Sequence, residues 1–160
     1  MALLIEEETA KKIYEYQPSW FQEILEKAFK KGCFKKINFK DLKTFDDLCR
    51  TQGTTEVEFE EKWENSPEHH VRYERMLMLY LAINQGWEMN TYDTTQRKWA
   101  PMFLVSSSGL GFSYSYYGCD YANAHVGFPL CYESEEKSNH AGKQFSKLWI
   151  EFITGKPLKS

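Results

Sequence analysis

The sequence predicts an α+β fold in which N-terminal helices pack with a small antiparallel sheet and a C-terminal helix. Residues 1–86 carry helix start and stop signals. Residues 99–132 then hold nine aromatic residues and one formal charge, in alternating patterns typical of strands. Residues 134–155 return to helical spacing. The length of 160 residues fits a single domain with a helical part (1–86), a Tyr-rich β part (87–133) and the C-terminal helix (134–155).

The N-terminal helices are predicted from their starting residues. A first short helix is predicted before Pro18, and Ala10, Ile13 and Tyr14 form its apolar stripe. The following helices each begin with a Ser or Thr and an acid or amide three residues later, as a capping box requires. These pairs are Ser19 with Gln22, Thr44 with Asp47, and Thr55 with Glu58.

A longer helix is predicted from Glu68 to Asn84, closed by Gly86. Residues 76–83 read Met-Leu-Met-Leu-Tyr-Leu-Ala-Ile, so this helix is apolar on nearly every side. Such a helix is normally covered by its neighbours. We therefore expect it to form the centre of the fold, with Leu77 and Leu81 buried between the N-terminal helices and the sheet.

The β part is predicted to contain three strands. The first covers Trp99–Val105, with Pro101 indicating an edge or a strand start. After a turn at 106–111, alternation with serine predicts that Phe112, Tyr114 and Tyr116 project from one face of the second strand. The third covers His125–Tyr132. A single final helix follows from Ser134, with Ala141, Phe145, Leu148, Trp149 and Phe152 on one face.

Charge and composition exclude several classes of protein. The net charge is −3 and the pI about 5.8, so no overall basic field attracts nucleic acid or an anionic membrane. The N-terminal apolar run turns acidic at Glu6, which is too early for a secretory signal, and no segment has the length of a membrane span. We therefore expect a cytoplasmic protein with reduced cysteines.

The sequence predicts neither a metal nor another cofactor. Cys119, His125, Cys131 and His140 are spaced C-x5-H-x5-C-x8-H, which differs from the short pairs of structural zinc sites. The pairs Gly142-Lys143 and Gly155-Lys156 lack the earlier glycine and the following Ser or Thr of a phosphate-binding loop. An enzyme is accordingly the least favoured class, with Cys119, Asp120 and His125 as its weak candidate site.

The stretch from Phe112 to His125 is the candidate binding surface. Tyrosine, serine, glycine and asparagine dominate it, as they dominate antibody recognition loops. The predicted contact residues are Tyr114, Tyr116, Tyr117, Asp120, Tyr121, Asn123 and His125. Packing of these rings beneath the helices is the structural alternative.

A resemblance places the chain in a biological setting. Residues 99–153 carry Trp99-x-Pro101-x-Phe103, then Val126-Gly127-x-x-Leu130-Cys131-Tyr132-x-Ser134, then Ala141-Gly142-Lys143-Gln144-Phe145. This part resembles small proteins encoded by phages and mobile elements of gut bacteria. Phe128-Pro129 stands where such proteins commonly have Ser-Arg, so no role of that arginine is carried over. The resemblance implies a phage or mobile-element setting inside a bacterial cell, and no catalytic residue.

The expected function is therefore non-enzymatic binding of a host protein or a small ligand. The alternative is a single-stranded nucleic-acid-binding protein that stacks bases on its rings. Residues 99–132 contain no Lys or Arg for phosphates. That alternative needs the fold to bring Lys35, Lys36, Lys40 and Lys43 alongside the tyrosines.

Overall fold

The computed structural model of the chain describes residues 5–14, 16–29, 37–118 and 130–156. Its elements in chain order are α1 (Glu7–Tyr14), α2 (Ser19–Ala28), a 3₁₀ turn (Phe39–Asp41), α3 (Phe45–Thr51), α4 (Glu56–Trp63), α5 (Glu68–Asn84), β1 (Lys98–Ser106), β2 (Gly109–Gly118), α6 (Glu135–Gln144) and α7 (Ser146–Thr154). N-terminal helices, an antiparallel sheet and C-terminal helices make up the α+β fold that the sequence predicts.

The first two helices form a hairpin that buries Ala10 and Leu25. Helix α2 begins at Ser19 as expected, but no side chain caps it. The predicted capping box is wrong because Ser19 is already the first helical residue and Pro18 takes the N-cap position. The Gln22 Nε2 atom donates instead to the Tyr14 carbonyl oxygen, at 2.9 Å. The amide of Gln22 thus connects the two helices of the hairpin.

The capping boxes of α3 and α4 are confirmed. The Thr44 hydroxyl accepts from the Asp47 N–H at 3.1 Å, while an Asp47 carboxylate oxygen accepts from the Thr44 N–H at 2.8 Å. Thr55 and Glu58 form the same reciprocal pair. Each box satisfies backbone donors that the first turn of a helix leaves unpaired, so local sequence alone sets these two starting points.

Helix α5 has the predicted bounds, and its buried residues include Met76, Leu79 and Ile83. The expectation for Leu81 is wrong: 45% of this side chain is exposed. Leu77 is only partly buried. The helix turns the stripe of Met76, Leu79 and Ile83 toward α3 and the C-terminal helices, so Leu81 lies on the opposite side.

Strands β1 and β2 pair from Lys98 opposite Gly118 to Ser106 opposite Gly109. On the other edge of β1, Trp99 and Tyr132 exchange two N–H···O bonds of 3.0 and 2.7 Å. Pro101 lies two residues further along that edge, where the missing N–H breaks no bond with β2. Of the predicted third strand, residues 125–129 lie outside the described residues, and Tyr132 contributes this bridge.

The predicted C-terminal helix is two helices. Ser134 caps α6 by accepting from the Lys137 N–H, but the chain leaves helical geometry at Phe145, at φ −108° and ψ 28°. Helix α7 then begins at Ser146. The break lets Phe145 and Trp149 both reach the core, where Trp149 packs near Phe103 of β1, with ring centroids 5.9 Å apart.

A buried asparagine joins α5 to the segment that follows the β part. Only 2% of Asn84 is exposed. Its Nδ2 donates to the Cys131 carbonyl at 2.9 Å, and its Oδ1 accepts from the Glu133 N–H at 3.2 Å. Because Tyr132 between them pairs with Trp99, this side chain fixes the edge of the sheet to the end of α5.

Among residues 5–14, 16–29, 37–118 and 130–156, no helix combines the length and the apolar character needed to cross a membrane.

The orientation of α5 gives a paired prediction. Leu79→Ala should lower the free energy of unfolding by about 2–5 kcal/mol, since it leaves a cavity in the core. Leu81→Ala, on the exposed side of the same helix, should cost less than about 1 kcal/mol. Denaturant titration of both variants measures the difference, and equal losses would contradict this orientation.

Candidate functional site

A bulge in β2 separates the aromatic rings that alternate in the sequence. Phe103 of β1 is opposite Phe112, whereas Met102 is opposite Tyr114, so Ser113 has no residue opposite it. Such an extra residue shifts the alternation of side chains by one position. The expectation that Phe112 shares a face with Tyr114 and Tyr116 is therefore wrong, and Phe112 points to the other face.

The inner face of the sheet packs on α6. The Ser115 hydroxyl lies 2.8 Å from the Ser138 Oγ and 3.0 Å from the Asn139 Oδ1. Gly142 lies so near the strands that a Cβ atom there would come within 2.3 Å of the Phe112 ring and 2.9 Å of the Pro101 Cβ. Ser138 and Gly142, which lie one turn apart on α6, thus allow the helix to approach the two strands closely.

The outer face of the sheet carries Tyr114 and Tyr116, which are 48% and 51% exposed. Each lies opposite an uncharged residue of β1: Met102 opposite Tyr114, and Ala100 opposite Tyr116. Leu104 continues this face toward the β1–β2 turn and is also exposed. We call Ala100, Met102, Leu104, Tyr114 and Tyr116 the outer sheet face.

By the same alternation, Trp99 and Tyr117 lie opposite each other on the inner side of the sheet, where Tyr117 is at the centre of a ring cluster with Trp99 and the neighbouring Tyr116. Its ring centroid is 4.9 Å from that of Trp99 and 6.0 Å from that of Tyr116. The Arg97 guanidinium lies over the Tyr117 ring, 4.8 Å from its centroid. These contacts hold Tyr117 in place, and they join three residue types that dominate binding hot spots in protein interfaces.

The structure brings together only part of the predicted site. Tyr114, Tyr116 and Tyr117 lie together at the sheet, while Asp120, Tyr121, Asn123 and His125 lie outside the described residues. Sequence reasoning missed Arg97 and Trp99. Trp99 is a neighbour of Tyr117 because the two are directly opposite in the strand register, which local sequence does not specify.

The lysines do not accompany the outer tyrosines. The Lys40 Nζ pairs with a Glu136 carboxylate oxygen at 2.6 Å, and the Lys43 carbonyl accepts from the Gln144 Nε2 at 2.8 Å. Both contacts hold the lysine segment against α6, which packs on the inner face of the sheet. Lys35 and Lys36 lie outside the described residues. Lys40 and Lys43 therefore lie on the α6 side of the sheet, away from the outer sheet face.

The side chains considered for metal or nucleophilic chemistry have structural surroundings. Burial raises the pKa of the Cys131 thiol to about 11, so it stays protonated at neutral pH. The His140 Nε2 lies 3.1 Å from the Leu42 carbonyl oxygen, and burial lowers the pKa of this imidazole. Among the described residues, no group of three or more His, Cys, Asp or Glu side chains could hold a metal ion. Cys119 and His125 lie outside them.

A buried lysine lies between Arg97 and Trp99 at the start of β1. Lys98 is almost fully buried, and its Nζ donates to the carbonyl oxygens of Asp93 and Gln96, each at 3.0 Å. The loop before β1 thus wraps around this charge. These bonds fix the backbone that leads into Arg97 and Trp99.

Comparison with protein families, with curated proteins and with solved structures finds no match to this chain.

The close approach of α6 can be tested by adding one methyl group. Gly142→Ala gains about 1 kcal/mol of helix propensity, but the clash with Phe112 and Pro101 should outweigh this gain. We expect a net loss of about 2 kcal/mol in unfolding free energy, within the usual range for overpacking.

Gly111→Ala is the matched control because a Cβ atom at Gly111 meets nothing within 4 Å. Its unfolding free energy should stay within about 0.5 kcal/mol of wild type. Equal thermal stability of the two variants would show that α6 does not pack this closely on the sheet.

Proposed function

We propose that this chain is a non-enzymatic binding protein that holds a protein partner on the outer sheet face. The observation that carries the proposal is the exposure of Tyr114 and Tyr116 on an uncharged face with Met102 and Leu104. Tyrosine side chains supply large contact area at a small cost in conformational entropy. Contiguous apolar and aromatic patches on a protein surface often mark interaction sites.

The shape and charge of the face favour a protein over other partners. Small-molecule sites are usually concave and enclose most of their ligand, whereas this surface is one side of the sheet that β1 and β2 form. Single-stranded nucleic acid needs cations along its backbone as well as rings. Arg97 supplies one cation at the ring cluster, Lys98 is buried with its ammonium bonded to loop carbonyls, and residues 99–118 supply no cation.

The biological setting is part of the same proposal. The resemblance of residues 99–153 to small phage and mobile-element proteins supports an accessory factor in the bacterial cytoplasm. In that setting a host protein is the partner class that we propose.

The proposal predicts that the outer tyrosines carry the affinity. Tyr114→Ala and Tyr116→Ala should each weaken binding to a protein captured from host lysate by about 2 kcal/mol, or roughly 30-fold, without changing the melting temperature. The matched control is Tyr92→Ala, since Tyr92 is 94% exposed but lies in the loop before β1. Titration calorimetry of the four proteins measures the differences.

Salt dependence separates the two kinds of partner. Binding through rings and hydrogen bonds should change little between about 50 and 200 mM salt, whereas binding through several phosphates falls by orders of magnitude. Tight oligo-dT binding that disappears at the higher salt would contradict the proposal. So would equal losses for Tyr92→Ala and Tyr114→Ala.

A further inference from the structure

The bonds between Trp99 and Tyr132 determine which way the backbone groups of β2 point. Because Trp99 uses both its N–H and its C=O toward Tyr132, these groups point away from β2. Trp99 is opposite Tyr117, and Pro101 is opposite Ser115. In an antiparallel pair, residues at such positions turn their backbone groups outward on both strands. The N–H and C=O of Ser115 and Tyr117 therefore point to the far edge of β2.

Within the described part of the chain, no backbone group bonds to this far edge. The chain returns at Tyr132 to the opposite edge of the sheet. Natural edge strands are usually protected by charges, prolines or bulges. The strand Gly109–Gly118 has no charge and no proline, and its bulge lies at Ser113. Residues 114–118 therefore form a regular stretch with outward donors and acceptors.

We propose that the far edge of β2 pairs with the same edge of a second copy of this chain, forming a four-stranded sheet. Antiparallel pairing about a twofold axis places Tyr116 opposite Tyr116 of the second copy. Ser115 then lies opposite Tyr117 of the second copy, and the two exchange both backbone bonds. The twofold axis repeats this exchange, so the outward groups of Ser115 and Tyr117 in both copies are all paired.

The absence of charge on β2 favours a second copy as the occupant. A twofold interface is self-complementary, so residues near the axis meet their own counterparts. Like charges directly opposite each other in a sheet are destabilising, and a charged strand would therefore oppose its own copy. Gly109–Gly118 brings no such conflict, and a cross-strand pair of tyrosines is favourable.

This pairing uses the edge of the sheet and leaves its outer face open, so it does not depend on the proposed function. The two outer faces become one continuous surface, with Tyr114 and Tyr116 from both copies near its centre. The experiment uses the purified chain alone. Failure to dimerise is thus distinguishable from failure to bind a partner.

Sedimentation equilibrium of the wild-type chain should show a concentration-dependent dimer. Tyr116→Lys and Tyr116→Glu each place like charges at the axis and should raise the dimer dissociation constant about tenfold or more. An equimolar mixture of the two variants should restore dimerisation, which shows that both remain folded. Tyr114→Lys is the matched control and should still dimerise, because Tyr114 faces the end of the second strand rather than its own counterpart.

A cysteine pair tests the register. Residues directly opposite at the axis have Cα atoms about 4.5 Å apart, a distance that a disulfide spans. Mild oxidation should therefore link Tyr116→Cys chains into covalent dimers more than wild type, whereas Tyr114→Cys chains should not exceed wild type. A monomeric wild type at every concentration would overturn the proposal, as would a dimer unaffected by Tyr116→Lys and Tyr116→Glu. The proposal would also be wrong if the wild-type chain stayed monomeric but bound an added extended peptide of unrelated sequence along this edge. That result would assign the edge to another protein.

Discussion

The position of the sheet depends on the two hydrogen bonds of the Asn84 side chain. Asn84 ends α5, the helix that supplies much of the core, and binds the backbone on either side of Tyr132. Tyr132 in turn pairs with Trp99 at the start of β1. A buried amide that loses its bonds costs free energy, so this connection admits one arrangement of helix and strand. The Lys137 Nζ, 3.3 Å from the Asn84 carbonyl oxygen, ties α6 to the same point.

Once β1 is fixed, small side chains decide which face of the sheet remains open. Ser138 and Gly142 let α6 lie directly on the inner face, where Phe112 is also directed by the bulge. Tyr114 and Tyr116 consequently project on the side away from α6. The same contacts that pack the core therefore leave Tyr114 and Tyr116 exposed on the outer sheet face.

Local signals in the sequence predict much of the fold. The boxes at Thr44 and Thr55 and the bounds of α5 follow from short-range hydrogen bonding and helix propensity, which act within a few residues. The burial of Leu81 could not be predicted from such local signals. A helix that is apolar on every side has no distinct apolar face to indicate which side packs against the core. The bulge at Ser113 and the contact of Trp99 with Tyr117 depend on strand register. Register is a property of two strands together. The sequence of β2 alone therefore shows that the strand is rich in tyrosine, but it does not determine which face of the sheet each ring occupies.

Amide hydrogen exchange of the wild type and of Asn84→Ala tests most directly whether this asparagine holds the sheet to the core. The Trp99 and Tyr132 amides, which pair with each other's carbonyl groups, should be strongly protected in the wild type. In the variant their protection should fall by roughly 2–4 kcal/mol, because the Cys131 carbonyl and the Glu133 N–H lose their bonds in a buried site. The Leu25 amide of the α1–α2 hairpin should exchange at an unchanged rate. Unchanged protection of Trp99 and Tyr132 in Asn84→Ala would contradict the account.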